Sequence, residues 1–271
     1  MIKQAIIPLA GLGTRLLPLT SVFAKELLPI NGRPGIEYIL DECIEAGVKE
    51  IIFIISTKKL MIKKYFYSDK FYKNIIKKKK DSRIINEYKK ILKYKNKIKF
   101  VFQNIPKGTG DAVLKTQKYI KNKYFLMLLP DDLIIKKNCS KSMIKVHKKY
   151  QASVMASMAV KKNNVSRWGI YKINKKLNRR DYVIDGVVEK PSVNKAPSNK
   201  AVIGRYILPR TIFKKIKFLK PGKGKEIHIT DAIQLLINDK EKFIAHNFEG
   251  EYLDCGTMSG YINSSKEICK I

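Results

Sequence analysis

The chain has 271 residues, 45% of them hydrophobic, which is ordinary for a globular protein able to bury a substantial core in one large domain. Its 56 lysines and arginines against 23 acidic residues give a net charge of +33, but only eight are arginine and no nucleic-acid-binding motif accompanies them, so the lysines read as solvated surface and no specific nucleic-acid partner is expected. Cys43, Cys139, Cys255 and Cys269 form no CxxC pair and have no histidines at zinc spacing, and no apolar run approaches the roughly 20 residues of a membrane span, so structural zinc, a disulfide framework and a membrane partner are excluded and a cytoplasmic setting is expected.

In chain order, residues 5–9 (AIIPL) are a short apolar run of buried-strand type, followed at once by Gly11-Leu12-Gly13-Thr14. Glycine lets a ligand approach bare backbone, so exposed N–H groups, the Thr14 hydroxyl and the Arg15 guanidinium together suit the oxygens of a triphosphate. The stretch has neither the GxxxxGK[ST] spacing of a P-loop nor the third glycine of a dinucleotide fingerprint. Residues 35–47 (GIEYILDECIEAG) place Ile36, Ile39, Leu40, Cys43 and Ile44 on one helical face, with Gly47 suited to the C-terminal cap. Residues 50–56, 98–103 and 124–129 are further buried-strand candidates, and the lysine-heavy span 70–95 reads as surface helices with ill-defined ends. Asp131 follows the third of these strands and is the strongest metal candidate, because a carboxylate at a strand end can hold Mg²⁺ beside phosphate. Strands become denser at 153–160, 169–173, 182–189 and 201–207; Thr230 is suited to cap a helix, and residues 258–268 read as the final helix. His147, His228 and His246 are the only histidines, and none is expected in a nucleophile–base constellation.

Read whole, GLGTRLLP with KELLPI downstream resembles the signature of the sugar nucleotidyltransferases, and within them the bacterial UTP-glucose-1-phosphate uridylyltransferases. QNIPKGTGDAV at 103–113, LLPDDLI at 128–134, VVEKPS at 187–192, APSNKAVIGRYIL at 196–208, KEIHITDAI at 225–233 and DCGTMSGY at 254–261 follow in the family's order, so the resemblance covers nearly the whole chain. It implies an α/β fold, a Rossmann-like doubly wound mixed sheet of the nucleotide-diphospho-sugar transferase type. The single domain would divide into a nucleotide-binding part at about 1–135 and a sugar- and metal-binding part at about 136–271. The implied activity is transfer of UMP from UTP to glucose 1-phosphate with Mg²⁺, in a homodimer or homotetramer. Thymidylyltransferase relatives usually carry AGGSGTR and a Gln at the Lys-Glu position; AGLGTR and Lys25-Glu26 here favour UTP over dTTP. A catalytically silent, ligand-sensing subunit is the other alternative.

In a doubly wound sheet ligands bind beyond the carboxyl ends of the strands, so the loops at Gly11, Gln103, Asp131 and Glu189 would share one crevice. Nucleotidyl transfer needs positioning and cations more than covalent help. Arg15 is expected to stabilise the leaving pyrophosphate and Lys25 the charge building up on the triphosphate. The resemblance implies that Gln103 and Gly108 meet the uracil edge, with Ala10, Gly11 and Glu26 on its other side, Gly13 and Thr14 in the phosphate loop, and Asp132 orienting the loop or touching ribose. It also implies Asp254 beside Asp131 on one Mg²⁺, Lys190 on the phosphate of glucose 1-phosphate, and Glu189 accepting from glucose hydroxyls. Gly169 and Gly204 would let glucose pack on the backbone or would serve tight packing. Asp111 where histidine is frequent, Trp168 for tyrosine, and Asn31-Gly32-Arg33 depart from the family pattern without removing an implied ligand.

Overall fold

The computed structural model describes residues 2–270. The chain opens with β1 (Gln4–Pro8); after the glycine loop a two-residue ribbon, β2 (Pro29–Ile30) and β3 (Arg33–Pro34), leads into α1 (Gly35–Glu45) and β4 (Glu50–Ile55). Three helices, α2 (Leu60–Phe66), α3 (Asp69–Lys79) and α4 (Ser82–Lys95), precede β5 (Ile98–Phe102), and α5 (Thr109–Leu114), β6 (Tyr124–Leu128) and β7 (Asp132–Ile135) follow. The second half runs α6 (Cys139–Tyr150), β8 (Ser153–Ala159), β9 (Gly169–Lys176), β10 (Asp181–Glu189), β11 (Lys200–Pro209), α7 (Ile212–Phe218), α8 (Ile229–Asn238), β12 (Phe243–Asn247), β13 (Glu251–Asp254) and α9 (Met258–Ile268).

One nine-stranded sheet crosses both halves in the order β5-β4-β1-β6-β11-β8-β12-β10-β9. Its first four strands are parallel, and the strand order reverses at β1, which pairs β4 on one side and β6 on the other. That reversal is the topological switch point, where loops at the carboxyl ends diverge and leave a crevice. Alternation explains why these strands read as continuous apolar runs. Ala5, Ile7, Ile51, Phe53, Leu126 and Leu128 face one core, built with α1, α2 and α6; Ile6, Ile52, Ile54, Phe125 and Met127 face the other, built with α5, α7 and α8. Each fully buried isoleucine contributes about 1.5–3 kcal/mol of burial free energy, so both faces are needed to hold the sheet.

Local chemistry sets the element ends. Beyond α1, Gly47 adopts φ 89°, its N–H donates to Ile44 O, and Val48 N–H donates to Cys43 O with the Val48 side chain buried. These two bonds close the helix end, and the left-handed residue between them favours glycine. The lysine-rich span resolves into two helices, because Lys80 turns left-handed at the end of α3 and Asp81 caps α4 by accepting from Arg83 N. Thr230 is not the cap of α8: the helix begins at Ile229, whose N–H donates to the Thr109 hydroxyl at 3.2 Å. A hydroxyl from the start of α5 supplies what the local sequence suggested Thr230 would, and it clamps α5 to α8. Among the described residues no helix is long and apolar enough to cross a membrane.

Candidate active site

The carboxyl ends of β1, β5 and β6 open into a cleft of about 260 Å³, lined by Ala10 and Gly11 after β1, Gln103 and Gly108 after β5, and Leu129 and Asp131 after β6. Gly13 sits at φ 71°, a conformation strained for other residues, and turns the chain into a single 3-10 turn, Thr14–Leu16. The Thr20 hydroxyl donates to Gly13 O at 2.9 Å and pins that turn. Lys25 reaches into the cleft, with Nζ 2.7 Å from Asp131 Oδ2, and Arg15 Nη2 lies 3.4 Å from the same oxygen. Burial opposes both charges, but mutual attraction prevails: the Lys25 ammonium is held above its ordinary value and the Asp131 carboxyl below.

A second cavity, of about 380 Å³, adjoins the first, and Asp131 and Leu129 line both. Its walls carry Arg15, Arg167, Asp254 and Thr257, together with Trp168 and Tyr252, whose rings meet edge to face at 5.4 Å. The short β7–β13 ladder sets Asp254 directly opposite Asp132, and Cys255 N–H donates to Asp131 O at 2.8 Å, so residues more than a hundred positions apart share one corner. A Cβ at Gly256 would stand 2.9 Å from Asp131 Oδ2, 3.1 Å from Asp254 Oδ1 and 2.8 Å from Arg15 Nη2. The two carboxylates therefore converge on a cradle that only glycine leaves open.

A family described as nucleotidyl transferase matches residues 4–271. The chain belongs to this family. The UTP–glucose-1-phosphate uridylyltransferase of Mycoplasma pneumoniae is 36% identical to it, over 97% of this chain and 91% of its own. A UDP-glucose pyrophosphorylase complexed with UDP-glucose superposes with a TM-score of 0.87 at 36% identity, covering 100% of this chain and 99% of that one. A UTP-bound UGPase from Acinetobacter baumannii gives 0.90 at 33% identity, covering 99% and 93%. The mixed, doubly wound sheet is the fold of these nucleotidyl transferases.

Within that fold Ala10, Gly11, Lys25, Glu26, Gln103, Gly108 and Asp131 come together in the first cleft, and Arg15, Asp131, Asp132 and Asp254 in the second cavity. Glu26 lines the cleft, yet both its oxygens accept from Lys59 Nζ, at 2.8 and 2.9 Å, in a buried pair. Asp132 lines the second cavity, and its carboxylate is held there: Tyr252 donates its hydroxyl to Oδ1 at 2.6 Å and Gly204 its N–H to Oδ2 at 2.8 Å. Burial, and then the neighbouring Asp131, push the Asp132 carboxyl up to about 6. A Cβ at Gly204 would come within 2.5 Å of both Asp132 Oδ2 and Leu129 Cβ, so the packing of these two residues requires glycine here. Gly169 and Glu189 are paired across β9 and β10, and Lys190 N–H donates to the Trp168 carbonyl, which gathers all three beside the aromatic wall of the second cavity. The Glu189 and Lys190 side chains are 64% and 61% exposed, 3.8 Å apart, and line neither cavity.

Several residues escaped sequence reasoning. Arg205 is fully buried, paired with Glu42 at 2.9–3.1 Å, and donates to Leu129 O, Gly204 O and Asp132 O, so it braces the turn that carries Asp131. An arginine inside the apolar strand KAVIGRYIL was the available signal. The partners of His246 were also missed: Nδ1 lies 2.7 Å from Asp181 Oδ1 and Nε2 3.2 Å from Ser142 Oγ, in a structural cluster rather than a nucleophile–base pair. These partners lie 65 and 104 positions away, beyond reach of local pattern. Ser142 donates its hydroxyl to Cys139 O, and the trio lines neither of the two cavities; it ties α6 to β10 and β12.

Proposed function

We infer that this protein transfers UMP from UTP to glucose 1-phosphate, releasing pyrophosphate and forming UDP-glucose. The observation that carries the reading is Asp131: it borders both the glycine-loop cleft and the second cavity, with Lys25 and Arg15 on its carboxylate. The first cleft takes the nucleotide, the second the sugar phosphate, and the reacting phosphates meet at the junction. An oxygen of the sugar phosphate attacks the α-phosphorus in line, and the bond to the bridging oxygen of pyrophosphate breaks. Lys25 and Arg15 neutralise charge on the triphosphate as it develops, and Lys190, beside Trp168, approaches the sugar phosphate from the rim. Full-length relatives named as uridylyltransferases favour UTP over dTTP.

Asp131 and Asp254 fit Mg²⁺. They offer hard carboxylate oxygens on one cradle kept open by Gly256, and the ion ordinarily takes one or two carboxylates and completes its shell with phosphate and water. When bound, Mg²⁺ would neutralise phosphate charge at the junction. The test is pyrophosphate release with Mg²⁺ and glucose 1-phosphate, comparing UTP, dTTP, ATP, CTP and GTP. UTP is expected to be preferred, and Asp131→Asn to lower turnover at least about 100-fold while the protein stays folded. Equal turnover by Asp131→Asn would remove Asp131 from the reaction. A dTTP preference would change the substrate, and no release from folded protein would favour the silent subunit.

A further inference from the structure

At the floor of the first cleft the side-chain amide of Gln103 is held at one end only. Its Nε2 lies 2.7 Å from Asp111 Oδ2 and 3.2 Å from Gly108 O. Both partners are acceptors, a carboxylate and a carbonyl, so the amide nitrogen must face them and both of its hydrogens are spent. The carbonyl oxygen Oε1 receives no hydrogen bond from the described residues, and Gln103 lines the cleft, so what the side chain can offer a ligand is an acceptor. Asp111 is itself only 7% exposed, with Lys115 Nζ 3.6 Å from its other oxygen, so the carboxylate is fixed in place before any ligand arrives.

We propose that Asp111 is a positioning residue for base selection: by fixing the Gln103 amide it presents Oε1 to the ring N–H of a uracil-type base and turns away a cytosine, whose ring nitrogen at that place is an acceptor. The inference rests on the reading that this cleft takes the base of UTP. An acceptor-only side chain at position 111 is essential to it. An asparagine there has an amide that can donate, so it can satisfy Gln103 Oε1 instead and let the Gln103 amide turn over, presenting N–H groups to the base.

The experiment measures UDP and CDP binding by calorimetry, and kcat and KM with UTP and CTP, for the wild type, Asp111→Asn, Gln103→Ala and the double variant. Asp111→Asn is expected to raise KM for UTP about tenfold with a smaller change in kcat, and to lower the UDP-over-CDP binding preference by a similar factor. In the Gln103→Ala background the same substitution should change the preference less than twofold, since it acts through the amide. Asp111→Ala, which leaves the amide unpinned without offering a donor, should shift the preference in the same direction by a smaller factor and serves if the asparagine variant folds poorly. An unchanged UDP-over-CDP ratio in both single variants at position 111, or an equal effect with and without Gln103, would overturn the positioning role while leaving the uridylyl reading intact. A wild type that binds neither diphosphate would overturn both.

Discussion

Asp131 and Glu26 are both carboxylates facing the first cleft, yet their neighbours give them different work. Asp131 keeps company with two cations at the junction of the cavities, whereas both oxygens of Glu26 are committed to Lys59. Burial lowers the Lys59 ammonium from its ordinary value, and attraction to Glu26 does not fully restore it. A buried pair of this kind is costly to break, because removing one partner leaves a charge without compensation. Lys59→Met is therefore expected to reduce stability by about 3 kcal/mol in urea unfolding, whereas a loss below about 0.5 kcal/mol would mean that water or Lys25 already serves Glu26. Nothing in the sequence near Lys59 marks it among so many lysines. Its importance comes from the turn after β4, which carries it to a carboxylate 33 positions earlier.

At the scale of elements, the site is assembled by strand ends and by the braces beneath them. The glycine loop follows β1, the Gln103 loop follows β5 and the Asp131 turn follows β6, because three parallel strands deliver their carboxyl ends to one edge. Arg205 on β11 connects that edge to α1 through Glu42 and to the turn through the carbonyls of Leu129 and Asp132. Burial opposes its charge, but Glu42 outweighs that and raises the guanidinium further above its ordinary value. Arg205→Met should cost about 3–5 kcal/mol of stability by leaving Glu42 unpaired, and should also lower kcat at temperatures where the variant remains folded. Stability loss with unchanged kcat would show that the turn holds its shape without the brace. Strand existence and type were legible here because residues 5–9, 50–55 and 124–128 are apolar on both faces, whereas the α8 start was misread because its first N–H is satisfied from α5.

The whole molecule carries +33 of formal charge, spread over lysine-rich helices such as α3 and α4, and self-repulsion of that size opposes compaction. Salt should relieve it, so the unfolding temperature is expected to rise between about 0.02 and 0.5 M NaCl, over which the Debye length falls several-fold; a fall instead would mean that surface ion pairs outweigh the repulsion. The sequence by itself located the strands of the main sheet other than β12, the glycine loop and the family, since these depend on local periodicity and on motifs read in order. It also singled out Arg15, Lys25, Gln103, Asp131 and Asp254 as candidates, each lying in such a motif. Only the tertiary structure decided which of them meet. The sheet brings Asp254 opposite Asp132 across a ladder, turns the Asp132 carboxylate onto Tyr252 and Gly204, and leaves Glu189 and Lys190 at the rim. The reason is physical: contacts between residues a hundred positions apart are set by strand order and packing, which pool information from the whole chain, while a motif reports only its own neighbourhood.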